Sequence, residues 1–268
     1  VHMLKNQRLK EMLAYIQNEG QVTVRELSEH FSVTDETVRR DVETLCASYP
    51  VRKVHGGVML LSSAERELPY ATRKTHCAEE KAAIGRCAVG YLRDGDVIAL
   101  DEGSTTEAMA EAVYGLKNLT VLAMSVHIAL ILTRKLHDGD FTGRVLLPEG
   151  EINTENGRIG GPAVSSCLRK YRFDKLFFSL TAVSDEGFSD WREEDGALTL
   201  ALMERSEQRF CLAESEKIGK SSFYTFAPFS PRDKVITDDK NPLSEHVVSV
   251  MRQAGVELTV AGRAEHRA

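Results

Sequence analysis

Positive charge is in short supply in this 268-residue chain. It holds 34 Lys and Arg against 40 Asp and Glu, a formal net charge of −6. That balance excludes bulk electrostatics as a means of holding nucleic acid. A DNA footprint, if there is one, has to come from a few cations gathered on one face. Paired cysteines are missing too. The five that occur, Cys46, Cys77, Cys87, Cys167 and Cys211, are odd in number and none are spaced as a metal clip or redox pair. Reduced buried thiols in a cytoplasmic protein are expected, with no metal and no cofactor. Long apolar runs are absent. The most apolar stretch, 119–132, is broken by Ser125 and His127, so no membrane span is expected, and no signal peptide. Val1-His2 ahead of Met3 are read as a cloning remnant.

What is present suits a packed protein. The apolar share is 42% and the charged share 28%, enough for a core and too balanced for wholesale disorder. The length leaves room for two domains. Residues 1–61 carry eight basic and eight acidic side chains, so the excess acid lies entirely beyond them.

Within those first sixty residues Leu9, Met12, Leu13 and Ile16 follow the i, i+3, i+4, i+7 spacing of a helix with one buried face. Gly20 stops it. Thr23-Val24-Arg25-Glu26 forms a capping box that opens a second helix, with Leu27 and Phe31 inward. Ser32-Val33 make a short turn, and Thr34 caps a third helix. There Val38, Val42 and Leu45 share one side, while Glu36, Thr37, Arg40 and Glu43 share the other and Arg39 flanks it. This is the pattern of a helix-turn-helix, whose recognition helix enters the major groove by its first turn. Thr34, Glu36, Thr37 and Arg40 would then face base edges or nearby phosphates, and Arg39 a phosphate. The guanidinium fork suits both tasks. The following VRKVHGGVMLL reads as two short strands around a glycine turn, a wing that brings Arg52, Lys53, His55 and Gly56 to the backbone of the duplex.

Beyond a polar connector, apolar runs alternate with helical ones. Strands are expected at 97–100, 119–124, 145–147, 176–180, 210–213, 235–237 and 257–260. Helices are expected at 80–92, 106–113, 128–137, 162–171, 197–209 and 243–254. Such alternation implies a mostly parallel sheet covered on both faces, with ligands at the carboxyl ends of its strands. Three strand ends carry chemistry. Asp101-Glu102-Gly103-Ser104-Thr105-Thr106 combines a close-approach glycine, hydroxyls and a helix N-terminus, which together can cradle an anion. The polar segment from Glu149-Gly150 to Gly160-Gly161-Pro162 is too long for a plain connector, so Asn156 and Arg158 are candidates to reach an anion or sugar hydroxyls. Glu214-Ser215-Glu216-Lys217 offers Lys217 as a point charge for a phosphate. The acidic run DEGFSDWREED, 185–195, reads as a loop and holds the only tryptophan, Trp191.

The run VTVRELSEHFSVTDETVRRDVETL followed by RKVHGG resembles the DNA-binding half of the DeoR family of bacterial transcription regulators. In that family a TxRRD segment lies in the recognition helix and HGG in the wing. Thr37, Arg39, Arg40, Asp41, His55, Gly56 and Gly57 match. The family usually has a Gly between third helix and wing, where this chain has CASYPV. Downstream, Lys81, Ile84, Gly95, Asp96, Ile98, Leu100, Asp101 and Gly103 to Thr106 match the family's K-xx-I…G-D-x-I-x-L-D-x-G-S-T-T pattern. DKLF at 174–177 and VITD at 235–238 match as well. The resemblance implies a sensor domain similar in fold to ribose-5-phosphate isomerase, a sugar or sugar-phosphate effector, and Lys81 and Glu194 as further effector contacts. Departures stand beside it. Met124-Ser125 replace a Thr-Asn, Glu214-Ser215-Glu216-Lys217 replaces Asp-x-Ser-Lys, and Leu200 stands where a Lys is usual. These weaken the case for a phosphorylated ligand.

The expected fold class is α/β. An N-terminal winged helix-turn-helix domain (3–61) leads through a linker (62–79) into a Rossmann-like, mostly parallel α/β sensor domain (80–262). The expected function is a repressor of a carbohydrate operon that binds double-stranded operator DNA as a homodimer or homotetramer. No catalytic residue is assigned. The competing class is a sugar-phosphate isomerase with an accessory domain. Asp101, Glu149, Glu194 and Glu214 would be its candidate bases. That alternative leaves the N-terminal module without a task.

Overall fold

The computed structural model describes residues 5–46, 51–54, 56–60 and 70–262. The chain divides into two compact units, residues 1–73 and 74–268.

The first unit runs α1 (Lys5–Glu19), β1 (Gln21–Thr23), α2 (Val24–Phe31), α3 (Asp35–Cys46), β2 (Val51–Val54) and β3 (Gly57–Leu60). Its core is the set the periodicity singles out, Met12, Ile16, Leu27, Val38, Val42 and Leu45, closed by Val22, Val51 and Val58 from the strands. The capping box forms. Thr23 N–H donates to Glu26 Oε2 at 2.7 Å, and Glu26 N–H donates to Thr23 Oγ1 at 3.2 Å. Ser32 takes the left-handed conformation, φ 52°, that ends α2. Thr34 Oγ1 accepts from Thr37 N–H at 3.3 Å and starts α3. Only three residues separate the two helices. The strands form an antiparallel sheet in the order β1-β3-β2, so the wing hairpin gains a third strand from the segment before α2. Gly57 makes this possible, because a Cβ there would lie 2.4 Å from the Val22 carbonyl oxygen. The CASYPV turn lies largely, and His55 wholly, outside the described residues.

The helix α4 (Tyr70–Thr75) falls within the expected linker. The second unit then follows the α/β alternation, with α5 (Ala78–Val89), β4 (Val97–Leu100), α6 (Ser104–Ala112), β5 (Leu119–Ala123), α7 (Val126–Asp138) and β6 (Gly143–Leu146). After the small hairpin β7 (Glu151–Ile152) and β8 (Ile159–Gly160) come α8 (Pro162–Leu168) and β9 (Phe173–Phe178). Next are β10 (Ala182–Ser184), β11 (Gly187–Asp190), α9 (Glu193–Glu204), β12 (Ser206–Leu212), β13 (Tyr224–Ala227), β14 (Asp233–Thr237), α10 (Glu245–Gln253) and β15 (Glu257–Val260). Seven strands form one parallel sheet in the order β15-β14-β12-β9-β4-β5-β6. Its two faces bury separate cores, one around Phe178, Leu202 and Met251, the other around Ile84, Met109, Leu132 and Phe210. The order reverses between β4 and β9, and that crevice is where open α/β sheets take ligands.

Two expectations change. The helix expected at 197–209 ends at Glu204, and 206–212 is strand β12. Arg209, the last residue of the expected helix, is buried in the strand, donating to the Met203 carbonyl and pairing with Asp233 of β14 at 3.5 Å. The acidic run 185–195 is not a loop. Its middle is β11, in an antiparallel sheet ordered β10-β11-β13, and its last residues open α9. The three carboxylates Glu193, Glu194 and Asp195 occupy the first turn of that helix, where its dipole favours negative charge. Among the described residues no helix is long and apolar enough to cross a membrane.

Candidate functional site

In the first unit, α3 buries Val38, Asp41, Val42 and Leu45 and turns Thr34, Glu36, Arg39 and Arg40 outward, with Thr37 half-buried. Arg39 has no ion-pair partner among the described residues. Arg40 Nε touches Glu36 Oε1 at 3.1 Å, with the two side chains 74% and 64% exposed. A pair so open is weak and yields readily to a phosphate. Lys53 on β2 reaches Glu43 of α3 at 2.5 Å and is also exposed. Gly56 stands exposed ahead of β3 with φ +79°. The side chain of Arg52 and the whole of His55 lie outside the described residues. Asp41, the last letter of the TxRRD segment, has a different task. It is 1% exposed and accepts from Arg8 Nε of α1 at 2.6 Å. Two adjacent arginines thus face solvent while the next residue anchors their helix.

In the second unit the expected residues converge at the carboxyl ends of β4, β9 and β12 as two linked clusters. The first centres on Asp101. Its Oδ1 accepts from Arg158 Nη2 and from Glu102 N–H, each at 2.8 Å, and its Oδ2 from Thr199 Oγ1 at 2.5 Å. Arg158 also donates to the Asp195 carbonyl at 3.2 Å, and its Nε lies 3.6 Å from Asp195 Oδ1. Burial, with a smaller push from the Asp195 carboxylate, holds the Asp101 carboxyl above its ordinary value, and Arg158, Thr199 and the Glu102 N–H oppose it. Burial likewise works against the Arg158 cation, but Asp101 and Asp195 outweigh it and hold the guanidinium above its ordinary value. A carboxylate accepting three hydrogen bonds next to a guanidinium is an ionised pair.

The second cluster centres on Glu214. Lys81 Nζ lies 3.1 Å from Oε1 and Lys217 Nζ 2.8 Å from Oε2. Thr105 Oγ1 donates to Oε1 at 3.2 Å. Ser179, just past β9, lies 3.5 Å from both Thr105 Oγ1 and Lys217 Nζ. Burial would raise the Glu214 carboxyl, yet Lys217 and Lys81 bring it down to about 2. Burial is the larger influence on Lys81 and lowers it in spite of Glu214. Gly103 lets the α6 N-terminus close on this cluster, since a Cβ there would meet Ser179 Cβ at 2.8 Å. Ser104 is buried beside it. Thr106 donates its hydroxyl to the Gly103 carbonyl at 2.7 Å and so braces the turn.

Lys81, Asp101, Gly103, Ser104, Thr105, Thr106, Arg158 and Lys217 are therefore drawn into one region. Glu194 is not. Its side chain is 86% exposed, and its ion-pair partner among the described residues is Arg192, at 3.9 Å. One step along α9 turns the direction by about 100°, so Asp195 faces Arg158 instead. Asn156 is buried and its Oδ1 accepts from Arg158 N–H at 3.1 Å, which shapes the loop. Ser179 and Thr199 escape the sequence reading. The signal for Ser179 is its place at the end of the strand next to β4, across the sheet's switch point. Trp191 is half-buried, its ring centroid 5.9 Å from that of Phe223, and its backbone N–H donates to Asp190 Oδ1 at 2.8 Å.

A winged helix-turn-helix with outward arginines, followed by an α/β unit with a built polar cluster at its switch point, defines a DNA-binding transcription regulator with a sensor domain. Residues 8–64 match the DeoR-like helix-turn-helix domain, and residues 76–239 match the DeoR C terminal sensor domain. The chain belongs to the DeoR family. It is 28% identical over 263 residues to the HTH-type transcriptional repressor GlcR of Bacillus subtilis, spanning 98% of this chain and 99% of that one. It is 28% identical over 257 residues to the Glycerol-3-phosphate regulon repressor of Escherichia coli, spanning 96% and 99%. With the Lactose phosphotransferase system repressor of Staphylococcus epidermidis it shares 31% over 242 residues, spanning 89% and 94%.

Proposed function

We propose that this regulator represses a carbohydrate-use operon and that a sugar or sugar phosphate, bound between Asp101–Thr106, Ser179 and Lys217, changes its affinity for operator DNA. The observation that carries the reading is the Lys81–Glu214–Lys217 cluster at the α6 N-terminus. Its two cations share one internal carboxylate. An anionic group entering beside Thr105 and Ser179 competes with Glu214 for Lys217, whose side chain is 22% exposed against 5% for Lys81. A ligand that replaces an internal ion pair remakes local contacts, and it shifts DNA affinity to the extent that it favours one arrangement of the protein over the other. Hydroxyls alone can use Thr105, Ser179 and Ser104. The relatives named for glycerol 3-phosphate and for the lactose phosphotransferase system accord with carbohydrate chemistry.

On DNA, Thr34, Glu36, Thr37 and Arg40 read the major groove, and Arg39 and Lys53 hold phosphates. Arg52, His55 and Gly56 complete the wing contact. One such module offers few cations, so a homodimer or homotetramer on repeated half-sites supplies the remaining affinity. An isomerase reading is disfavoured by the candidate bases. Glu214 at about 2 is a weak base, Asp101 is committed to Arg158 and Thr199, and Glu149 and Glu194 lie exposed.

The test is fluorescence anisotropy of labelled promoter DNA titrated with the full chain, repeated with a panel of free and phosphorylated sugars. Trp191 emission is read in the same samples. Binding that one sugar class alters, and that Lys217→Met renders insensitive to that class, is the expected result. Specific binding that no panel member alters overturns the effector assignment. Turnover of a sugar phosphate at enzyme-like rates overturns the regulator reading.

A further inference from the structure

Among the described residues one cluster has mixed soft and hard ligand atoms. His76 and Cys77, between α4 and α5, meet Glu216, in the 3-10 turn Ser215–Lys217 that follows β12. One ligand atom from each lies within 4.8 Å of the other two, and His76 Nε2 is 2.7 Å from Glu216 Oε1. From this nitrogen, sulfur and oxygen set we propose a binding site for a zinc-class divalent cation beside the Lys81–Glu214–Lys217 cluster, a site the effector reading neither needs nor supplies.

The donor set fits the cation. Imidazole, thiolate and carboxylate are the ligands zinc takes, at distances that place neighbouring donors roughly 3.3–3.8 Å apart. Donors within 4.8 Å of one another need to close by only about an ångström to meet on one ion. All three side chains retain access, with His76 46% and Glu216 35% exposed, so an ion can enter. Three protein ligands leave a fourth position for water or for an oxygen of a bound molecule.

The backbone around the trio is held from outside it. Lys81 Nζ donates to the His76 carbonyl at 2.7 Å, which ties that residue to the buried Glu214 cluster. Cys77 has a left-handed backbone, φ 52°, as the residue before α5, and its side chain makes no capping bond there. A cysteine in that conformation is strained, and the helix start gives it no local reason. Lys240 Nζ stands 4.0 Å from Cys77 Sγ, but Glu80 holds it in an ion pair of 2.6 Å. The cationic neighbour is thus already neutralised. Glu216 also stands where the family pattern has Ser, so the third ligand belongs to this chain's own sequence rather than to that pattern.

Position gives the site a consequence. Glu216 lies between Glu214 and Lys217 in sequence, and Cys77 precedes the helix that carries Lys81. An ion drawing Glu216 toward His76 and Cys77 acts on the turn that supports the effector cluster.

Cobalt(II) is the probe, because a thiolate ligand gives it a sulfur-to-metal charge-transfer absorption. The full chain, reduced and freed of metal, is titrated with cobalt and then with zinc. The expected result is one cobalt per chain with the thiolate band, displaced by zinc. The band is lost in Cys77→Ser, and affinity falls at least about tenfold in His76→Ala and Glu216→Gln. Thermal melts check that each variant is folded. Absence of the band in the parent protein, or its persistence in Cys77→Ser through one of the other four cysteines, overturns the proposal. Cobalt affinity unchanged in both His76→Ala and Glu216→Gln overturns it equally.

Discussion

Arg8 on the first helix and Asp41 on the third are joined by a 2.6 Å ion pair, with side chains 12% and 2% exposed. The pair fixes the angle between the helix that packs the unit and the helix that carries Arg39 and Arg40. Removing one partner strands a buried charge on the other. Asp41→Asn is expected to destabilise the N-terminal unit by about 3 kcal/mol. Trp191 is the only tryptophan and belongs to the sensor unit. Its fluorescence should therefore unfold at an unchanged urea concentration, while part of the far-UV circular dichroism change moves to lower urea. Coincident, unshifted transitions would show that the pair does not hold the helix.

Arg40 and Arg39 should separate by sequence dependence. If Arg40 contacts a base, Arg40→Ala weakens operator binding by about 10- to 100-fold and leaves binding to scrambled duplex nearly unchanged. If Arg39 contacts a phosphate, Arg39→Ala weakens both duplexes alike and reduces the salt slope by about one. Anisotropy titrations at several salt concentrations distinguish the two. Equal losses on both duplexes from Arg40→Ala would move that residue to the phosphate backbone.

What was legible in the sequence was local. The capping box needs only Thr23 and Glu26, and the inward Val38, Val42 and Leu45 need only the helical period. The glycine-hydroxyl turn at 103–106 could be read as a cradle because its parts are contiguous. What escaped depends on distant partners. Asp41 is only the last letter of the TxRRD segment until Arg8, 33 residues away, meets it. Ser206 to Arg209 look helical and polar until β9 and β14 flank them and Asp233 pairs with Arg209. Glu194 and Asp195 are chemically alike and adjacent, so only the true start of α9 decides which faces Arg158. Strand β1 has three residues, too few for an alternation to register.

Gly103 is held by two demands, a positive φ of 155° and the close approach of Ser179, that let the α6 N-terminus reach the cluster. Gly103→Ala would set Cβ against Cβ at 2.8 Å. Overpacking of this kind costs about 1–3 kcal/mol, so the variant should unfold at lower urea by Trp191 fluorescence and lose its response to the effector. Adding Ser179→Gly removes the facing atom and should restore part of the stability, the rest being the backbone cost of Ala at φ +155°. A single variant as stable as the parent, or a double variant with no recovery, would place the contact elsewhere.

Glu214 makes the sensor unit's stability depend on pH with a definite sign. Its carboxyl falls from an ordinary 4.5 to about 2 in the folded chain. A group depressed on folding stabilises at pH values above its unfolded value and loses that contribution as pH falls toward the folded one. The contribution is about 3 kcal/mol at pH 7 and less than half of that at pH 3. Glu214→Gln cannot titrate, and it leaves Lys81 buried with a neutral neighbour. Its stability deficit relative to the parent should therefore be largest and constant above about pH 5.5, and should narrow as the pH falls to 3. Urea midpoints followed by Trp191 fluorescence across that range measure the difference directly, and carboxylates shared by both proteins cancel from it. A deficit of equal size at pH 3 and pH 7 would mean that Lys81 and Lys217 do not hold the Glu214 carboxylate in its charged form, and the effector cluster would have to be redrawn without that ion pair.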